Sequence, residues 1–187
     1  MAWRKTKNDL AGAAEQVLSA ALHYLSRRDY TMAELRGKLL DRGADPERVS
    51  GVIARLRQEH YLDDARYALA YTRDRREFRP CGAAAIRHEL ARRGVAEELI
   101  EVALDAEYGE EEQRLALRRL LGKALPRIQS EAAQTEFEAA QTRRKTRERL
   151  CRRLLAKGFP QAMILSEIRR LDDAAAEAKK NIDRGGE

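Results

Sequence analysis

One pattern of residues occurs three times along this chain and constrains its fold more than any other feature. In each copy an apolar residue is followed by leucine four positions on and by glycine eight positions on. The copies run from Leu35 to Gly43, from Ile86 to Gly94 and from Leu150 to Gly158. Further apolar residues follow each glycine after six and ten positions: Val49, Ile53, Ile100, Leu104, Ile164 and Ile168. A period of about 50 residues predicts small units that bury their cores against neighbours, which favours an extended binding surface over a catalytic cleft.

Local signals around the first copy predict helices. Thr31 and Glu34 form a capping box, and Gly43 fits a left-handed helix cap. Asp45 followed by Pro46 predicts the start of the next helix, because aspartate caps well and proline is harmless in a first turn. Apolar residues recur at helical spacing along the chain, whereas alternating β patterns are absent. The sequence therefore predicts an all-α protein of three tandem three-helix repeats.

The repeat pattern also sets the predicted boundaries. These are a basic N-terminal arm at 1–8, repeats at 9–58, 59–108 and 109–172, and a polar tail at 173–187. The third repeat is longer than the others and includes an expected insertion at about 126–142. Its first helix should run from about Glu110 to Leu125 and end at Pro126. The tail has no apolar stripe, so solvated helix and disorder both remain open.

Composition narrows the functional classes. Charged residues make up 36% of the 187 residues, aromatic residues only 5%, and the net charge is +6. The basic excess is consistent with nucleic acid or an acidic protein surface as partner, and also with a basic helical protein that binds neither. The N-terminus lacks the apolar segment of a signal peptide, and no apolar run reaches membrane-spanning length. We therefore expect a soluble cytoplasmic protein without membrane contact.

No catalytic or metal-binding set of residues is evident. Cys81 and Cys151 are far apart and have no histidine at a metal-ligand spacing. His88 and Glu89 resemble the start of a zinc-binding His-Glu-x-x-His motif, but position 92 is arginine and the motif fails. We predict a non-enzyme without cofactor or metal.

Basic residues are concentrated in two segments. Residues 66–93 hold eight basic residues against three acidic ones, and residues 143–157 hold eight against one. Between them, residues 97–112 carry eight acids and no base. Arginine predominates in both basic segments, which suits bidentate contacts with phosphates or carboxylates, although a solvated helix face is the alternative. The candidate contact residues are Arg73, Arg76, Arg79, Arg87, Arg92, Arg93, Arg143, Arg144, Lys145, Arg147 and Arg152.

The Asp63-Asp64 pair has a structural explanation that we prefer to a metal or acid–base role. Asp63 can cap the helix that follows, and Asp64 then lies at the positive end of that helix dipole. Tyr67 and Tyr71 are expected to be packing residues rather than a stacking platform for bases.

Four segments resemble the RecX family of regulatory proteins. They are residues 21–28 (ALHYLSRR), 31–35 (TMAEL), 61–68 (YLDDARYA) and 86–95 (IRHELARRGV). The motif residues that carry the resemblance, and that we interpret as structural, are Tyr61, Leu62, Asp63, Asp64, Arg66, Tyr67 and Gly94.

The resemblance implies tandem three-helix repeats in an elongated, curved arrangement. It also implies binding to the recombinase RecA, especially to its filament on single-stranded DNA, with inhibition of ATP hydrolysis, strand exchange and SOS co-protease activity. Single- and double-stranded DNA are further expected partners, and we expect a monomer. The alternative is a non-catalytic basic helical protein that binds DNA without RecA.

Overall fold

The computed structural model describes the backbone of residues 14–129 and 136–184, and the side chains of most of these residues. The predicted N-terminal arm and the side chain of Arg143 lie outside what it describes. Within these ranges the structure is all-α, with nine helices and no strand. The helices are α1 Ala14–Leu25, α2 Met32–Leu40, α3 Pro46–Gln58, α4 Asp64–Phe78, α5 Ala83–Arg92, α6 Glu97–Glu107, α7 Glu110–Gln129, α8 Glu136–Ala156 and α9 Gln161–Arg184. The predicted fold class is confirmed.

The threefold pattern of the sequence corresponds to one recurring helix ending. Gly43, Gly94 and Gly158 all have positive φ, at 80°, 78° and 83°. After each glycine, the next backbone N–H donates to the carbonyl of the leucine of the same copy: Leu39, Leu90 or Leu154. Glycine is favoured at this left-handed position because it has no Cβ to clash. The same leucines are almost fully buried, so in each copy the residue that accepts the cap hydrogen bond is also a core residue.

The predicted helix starts are present, with one difference. Thr31 Oγ1 accepts from the Glu34 N–H at 3.1 Å, and Asp45 accepts from the Arg48 N–H at 3.1 Å. The Glu34 carboxylate, however, bonds Arg93 instead of completing the capping box. A charged partner brought near by folding offers that carboxylate a stronger hydrogen bond than a backbone N–H.

Two predictions about helix ends needed correction or refinement. Pro126 does not end α7, which continues to Gln129. Proline removes one backbone hydrogen bond and can kink a helix without ending it. The start of the polar tail belongs to α9, which extends to Arg184, so the backbone of residues 173–184 is helical.

The helices group into two compact units, and the predicted second repeat contributes to both. Unit 1 comprises Met1–Tyr71 and Arg87–Leu104, and unit 2 comprises Thr72–Ile86 and Asp105–Glu187. In unit 1, α1, α2 and α3 pack around a core whose main members are Val17, Ala20, Leu35, Leu39, Val49, Ile53, Leu56 and Leu62. In unit 2, α7, α8 and α9 contact one another and bury Leu117, Leu121, Leu154, Phe159 and Ile164. The repeat boundaries given above remain a prediction.

In each unit, a hydrogen bond to a backbone carbonyl joins a glycine turn to the start of an earlier helix. In unit 1, Thr31 Oγ1 donates to the Arg93 carbonyl at 2.6 Å, next to Gly94. In unit 2, the Gly82 N–H donates to the Lys157 carbonyl at 2.8 Å, next to Gly158. Each of these two glycine turns therefore lies against the first turn of a helix from the preceding copy of the pattern.

Candidate functional site

The first predicted basic segment is largely paired with carboxylates. Arg73 bonds Glu107 at 2.5 Å, and Arg76 lies 3.3 Å from the same carboxylate. Arg87 bonds Glu101 at 2.5 Å and Glu97 at 3.2 Å. These acids belong to the segment 97–112, which the sequence presents as a separate acidic block. Folding places it against the arginines, so much of the expected basic field is cancelled at short range.

Arg92 and Arg93 share the Glu89 carboxylate. Arg92 bonds it at 2.8 Å and Arg93 at 2.9 Å. The hydrogen bond from Arg92, supported by Arg93, lowers the pKa of Glu89 from 4.5 to about 2. Arg93 also bonds Glu34 at 3.0 Å and donates to the Tyr67 hydroxyl at 2.8 Å. Arg93 therefore has a structural role in unit 1, through its ion pairs and its hydrogen bond to Tyr67.

Arg79 differs from the other candidates of this segment. It is exposed, and none of the residues described in the structure forms an ion pair or hydrogen bond with its guanidinium group. One arginine without a described partner offers less for recognition than the eight basic residues of the sequence suggest.

The second basic segment, on α8, keeps more free charge. Arg144 pairs with Glu148 at 3.2 Å, and Arg147 pairs with Asp172 of α9 at 2.6 Å. Both arginines are at least half exposed, so these pairs contribute only about 0–1 kcal/mol each.

Three further basic residues of α8 form a stripe of unpaired charge. Lys145, Arg149 and Arg152 are exposed, and none of their side chains has an ion-pair or hydrogen-bond partner within the described part of the chain. At 100° per residue they lie within about 60° of one another around the helix and extend ~10 Å along it. Leu154 is buried on the opposite side of α8. We call these three residues the α8 stripe.

Sequence reasoning named two members of the α8 stripe but not Arg149. Counting charges could not separate Arg149 from its neighbours, because the distinction depends on which arginines have carboxylates nearby. The signal that could have identified Arg149 was helical periodicity, because Arg149 lies on the side of the helix opposite the apolar Leu154.

The motif residues at the start of α4 hold unit 1 together. Asp63 caps α4 by accepting from the Arg66 N–H at 2.9 Å. Asp64 is buried and accepts from the Met32 N–H at 2.9 Å, so it stabilises the start of α2. Burial raises the pKa of Asp64, and the Met32 hydrogen bond opposes that rise. Leu62 belongs to the core, and Tyr61 is 55% exposed. The contacts of Asp63 and Asp64 agree with a structural role.

Unit 2 contains a buried carboxylate that sequence reasoning missed. Glu167 of α9 is 2% exposed and receives two hydrogen bonds from Arg118 of α7, at 2.8 and 2.9 Å. Arg170 and Arg114 lie 3.1 and 3.5 Å from it. The hydrogen bond and charge of Arg118, with a smaller contribution from Arg170, lower the pKa of Glu167. This network joins α7 to α9.

The described residues contain no group of three His, Cys, Asp or Glu side chains placed to hold a metal ion. In the same part of the chain, no helix is long and apolar enough to cross a membrane.

Comparison with known proteins identifies the family. The models of the first and second three-helix domains of RecX match residues 18–56 and 63–104. The chain is 41% identical over 127 residues to the regulatory protein RecX of Halorhodospira halophila, covering 67% of this chain and 78% of that protein. The chain belongs to the RecX family.

Other RecX proteins extend the likeness beyond these domains. The regulatory protein RecX of Geobacillus kaustophilus is 33% identical over 158 residues, which is 84% of this chain but only 55% of that protein. A crystal structure of RecX from Lactobacillus salivarius has a TM-score of 0.71 at 25% identity, covering 85% of this chain and 96% of the other. RecX proteins are named as regulatory, so a regulatory role belongs to the family of this chain.

Proposed function

We propose that this protein binds RecA and its filament on single-stranded DNA, and that it inhibits ATP hydrolysis, strand exchange and the SOS co-protease activity. Membership of the regulatory RecX family supports the role. The observation that carries the binding surface is the α8 stripe, whose cations have no internal partner among the described residues. Binding of this kind needs no catalytic group of its own.

The α8 stripe fits a long, negatively charged partner. Three cations in a row ~10 Å long can contact successive phosphates, or the carboxylates along an acidic protein surface. The candidates Arg144 and Arg147 flank the stripe and would first have to leave Glu148 and Asp172. Because those ion pairs are exposed, exchanging them for a contact with the partner costs little free energy.

The test measures RecA ATP hydrolysis on single-stranded DNA while this protein is titrated in. Inhibition at substoichiometric protein that extra DNA does not relieve is the expected result. Inhibition that extra DNA abolishes would favour the second candidate, a basic helical protein that binds DNA without RecA. The absence of any effect would refute the proposal.

A matched pair of variants tests the α8 stripe. Lys145→Ala, Arg149→Ala and Arg152→Ala together remove three unpaired charges. Each exposed contact is worth ~0.5–1 kcal/mol, so the triple variant should need at least about tenfold more protein for the same inhibition.

The control replaces three arginines that are already paired, Arg73, Arg87 and Arg92, with alanine. It changes the net charge equally, and we expect inhibition within about twofold of the parent protein because paired cations are weaker contacts. Equal losses in the two variants would show that only net charge matters.

The salt dependence of binding to bare DNA separates the two candidates further. If the stripe contacts duplex phosphates, its removal should reduce the log–log salt slope by about 2–3. An unchanged slope combined with weaker RecA inhibition would place the stripe on RecA itself.

A further inference from the structure

Unit 1 contains a cavity that the proposed function does not use. It has a volume of about 150 Å³ and lies between the α1–α2 loop and the beginning of α4. The residues that line it include three tyrosines and two aspartates: Tyr30, Tyr61, Tyr67, Asp29 and Asp63. One water occupies ~30 Å³ in the liquid, so the cavity has room for several heavy atoms of a side chain.

The backbone fixes Tyr61 at this cavity while leaving its side chain exposed. His60 has a φ of 60°, the only positive φ at a non-glycine residue that the structure describes. The following N–H groups, of Tyr61 and Leu62, both donate to the Leu56 carbonyl, at 2.9 and 3.2 Å. Leu62 is buried by this turn, whereas Tyr61 stays 55% exposed. A large aromatic side chain on a fixed stretch of backbone and left in solvent is suited to an external contact.

The charges around the cavity favour a cation. Asp29 is exposed, and no residue that the structure describes pairs with its carboxylate. Asp63 accepts only the Arg66 N–H, the cap of α4, among the described contacts. The one internal cation in the wall, Arg66, reaches the His60 carbonyl at 3.5 Å. Among the residues that line the cavity, two carboxylates against one guanidinium leave a net negative charge, which disfavours phosphate or carboxylate ligands.

Tyr30, one of the residues that line the cavity, already contacts the guanidinium group of Arg28, whose charge is paired with Glu34 at 3.3 Å. The Arg28 guanidinium carbon lies 3.7 Å from the centre of the Tyr30 ring. A cation placed over an aromatic face is attracted by the electron-rich ring. Tyr61 is exposed and has no described partner of this kind.

We propose that this cavity binds the side chain of an arginine or lysine presented by a partner protein. The aliphatic part of such a side chain would lie against the tyrosine rings, and its charged end would reach Asp29 and Asp63. This site is separate from the α8 stripe and has the opposite charge preference, so its test does not depend on the proposed function.

The test uses the full chain and a short blocked peptide, acetyl-Gly-Arg-Gly-amide. Its control is the same peptide with citrulline, which keeps the shape of arginine but lacks the charge. Amide chemical shifts are followed by NMR during titration. We expect saturable shifts in the millimolar range at Asp29, Tyr61 and Asp63 with arginine, and none with citrulline.

Two variants with matched controls locate the site. Asp29→Asn should weaken binding about fivefold, the equivalent of one exposed ion pair, and Tyr61→Ala about two- to fivefold. The controls are Glu98→Gln, an exposed acid elsewhere in unit 1, and Phe78→Ala, an exposed aromatic residue outside the cavity; both should bind as the parent does. All four positions are exposed, so circular dichroism should be unchanged.

Several results would overturn the proposal. These are no saturable shift with the arginine peptide, equal binding of arginine and citrulline, shifts that map elsewhere, or equal effects of Asp29→Asn and Glu98→Gln.

Discussion

Replacing Gly94 with alanine should destabilise unit 1 in a way that a second, specific substitution repairs. Gly94 has a φ of 78°, and a Cβ added there would overlap the Ala33 methyl group. The next nearest atom is the Ala33 Cα, at 3.9 Å. One methyl group therefore accounts for the whole steric obstacle, and the positive φ accounts for the rest of the cost.

The magnitude follows from these two contributions. A left-handed conformation costs a residue with a Cβ about 1–2 kcal/mol. Overpacking by one methyl costs ~1–3 kcal/mol. Alanine recovers roughly 0.4–1 kcal/mol by restricting the unfolded chain. Together these give a net loss of unfolding free energy for Gly94→Ala of about 1–5 kcal/mol, centred on about 3 kcal/mol.

Ala33→Gly should rescue the steric part alone. By itself it costs about 0.5–1 kcal/mol of helix stability in α2. Combined with Gly94→Ala it removes the overlap, so the double variant should be ~1–3 kcal/mol more stable than the sum of the single effects. The left-handed strain remains in both variants that carry the Gly94→Ala substitution.

The assay is urea unfolding followed by far-ultraviolet circular dichroism. A slope of ~1–3 kcal/mol/M converts the loss for Gly94→Ala into a midpoint about 1–2 M lower. The matched control is Gly37→Ala in α2, where an added Cβ meets nothing within 4 Å. That variant should gain about 0.5–1 kcal/mol. A coupling energy below ~0.5 kcal/mol between positions 33 and 94 would refute the steric argument.

The remaining predictions concern titration, buried charge and thiol reactivity. Hydrogen bonding from Arg92 lowers the pKa of Glu89 from 4.5 to about 2. The stabilisation that the ionised Glu89 carboxylate gives the folded state is therefore present above pH 4.5 and lost as the pH falls towards 2. Glu89→Gln should flatten that part of the acid-unfolding profile. Glu167→Ala removes a buried carboxylate, but its arginine partners are 26–57% exposed and can regain water, so it should cost about 1.5–3 kcal/mol in urea unfolding; a loss below ~0.5 kcal/mol would contradict the network. Burial raises the pKa of the Cys81 thiol; in a Cys151→Ala variant, iodoacetamide should label it several-fold more slowly in the folded than in the urea-unfolded chain, and equal rates would argue against the burial.

The helices of this protein could be predicted because their signals are local. Caps such as Thr31 and Asp45 act on amides three residues away, and each glycine turn bonds a leucine of its own copy. The all-α repeat and the family were therefore available from the sequence. Pro126 shows the limit of local rules, since a residue that disfavours a helix does not always end it.

The pairing of charges was decided by the tertiary structure. Arg73 and Glu107 are 34 residues apart in the chain, and Arg147 and Asp172 are 25 apart. Net charge along the sequence indicates which segments are basic, but Coulomb interactions depend on distance in space. Folding joined acids of the segment 97–112 to arginines of the segment 66–93, and left the α8 stripe without partners among the described residues.

Sequence alone thus determined where helices form, where they turn and which family the repeats belong to. Only the tertiary structure decided which arginines are free to bind, and which side chains enclose the cavity beside Tyr61. Helix signals act within a few residues, whereas a binding surface consists of the groups that folding leaves without internal partners.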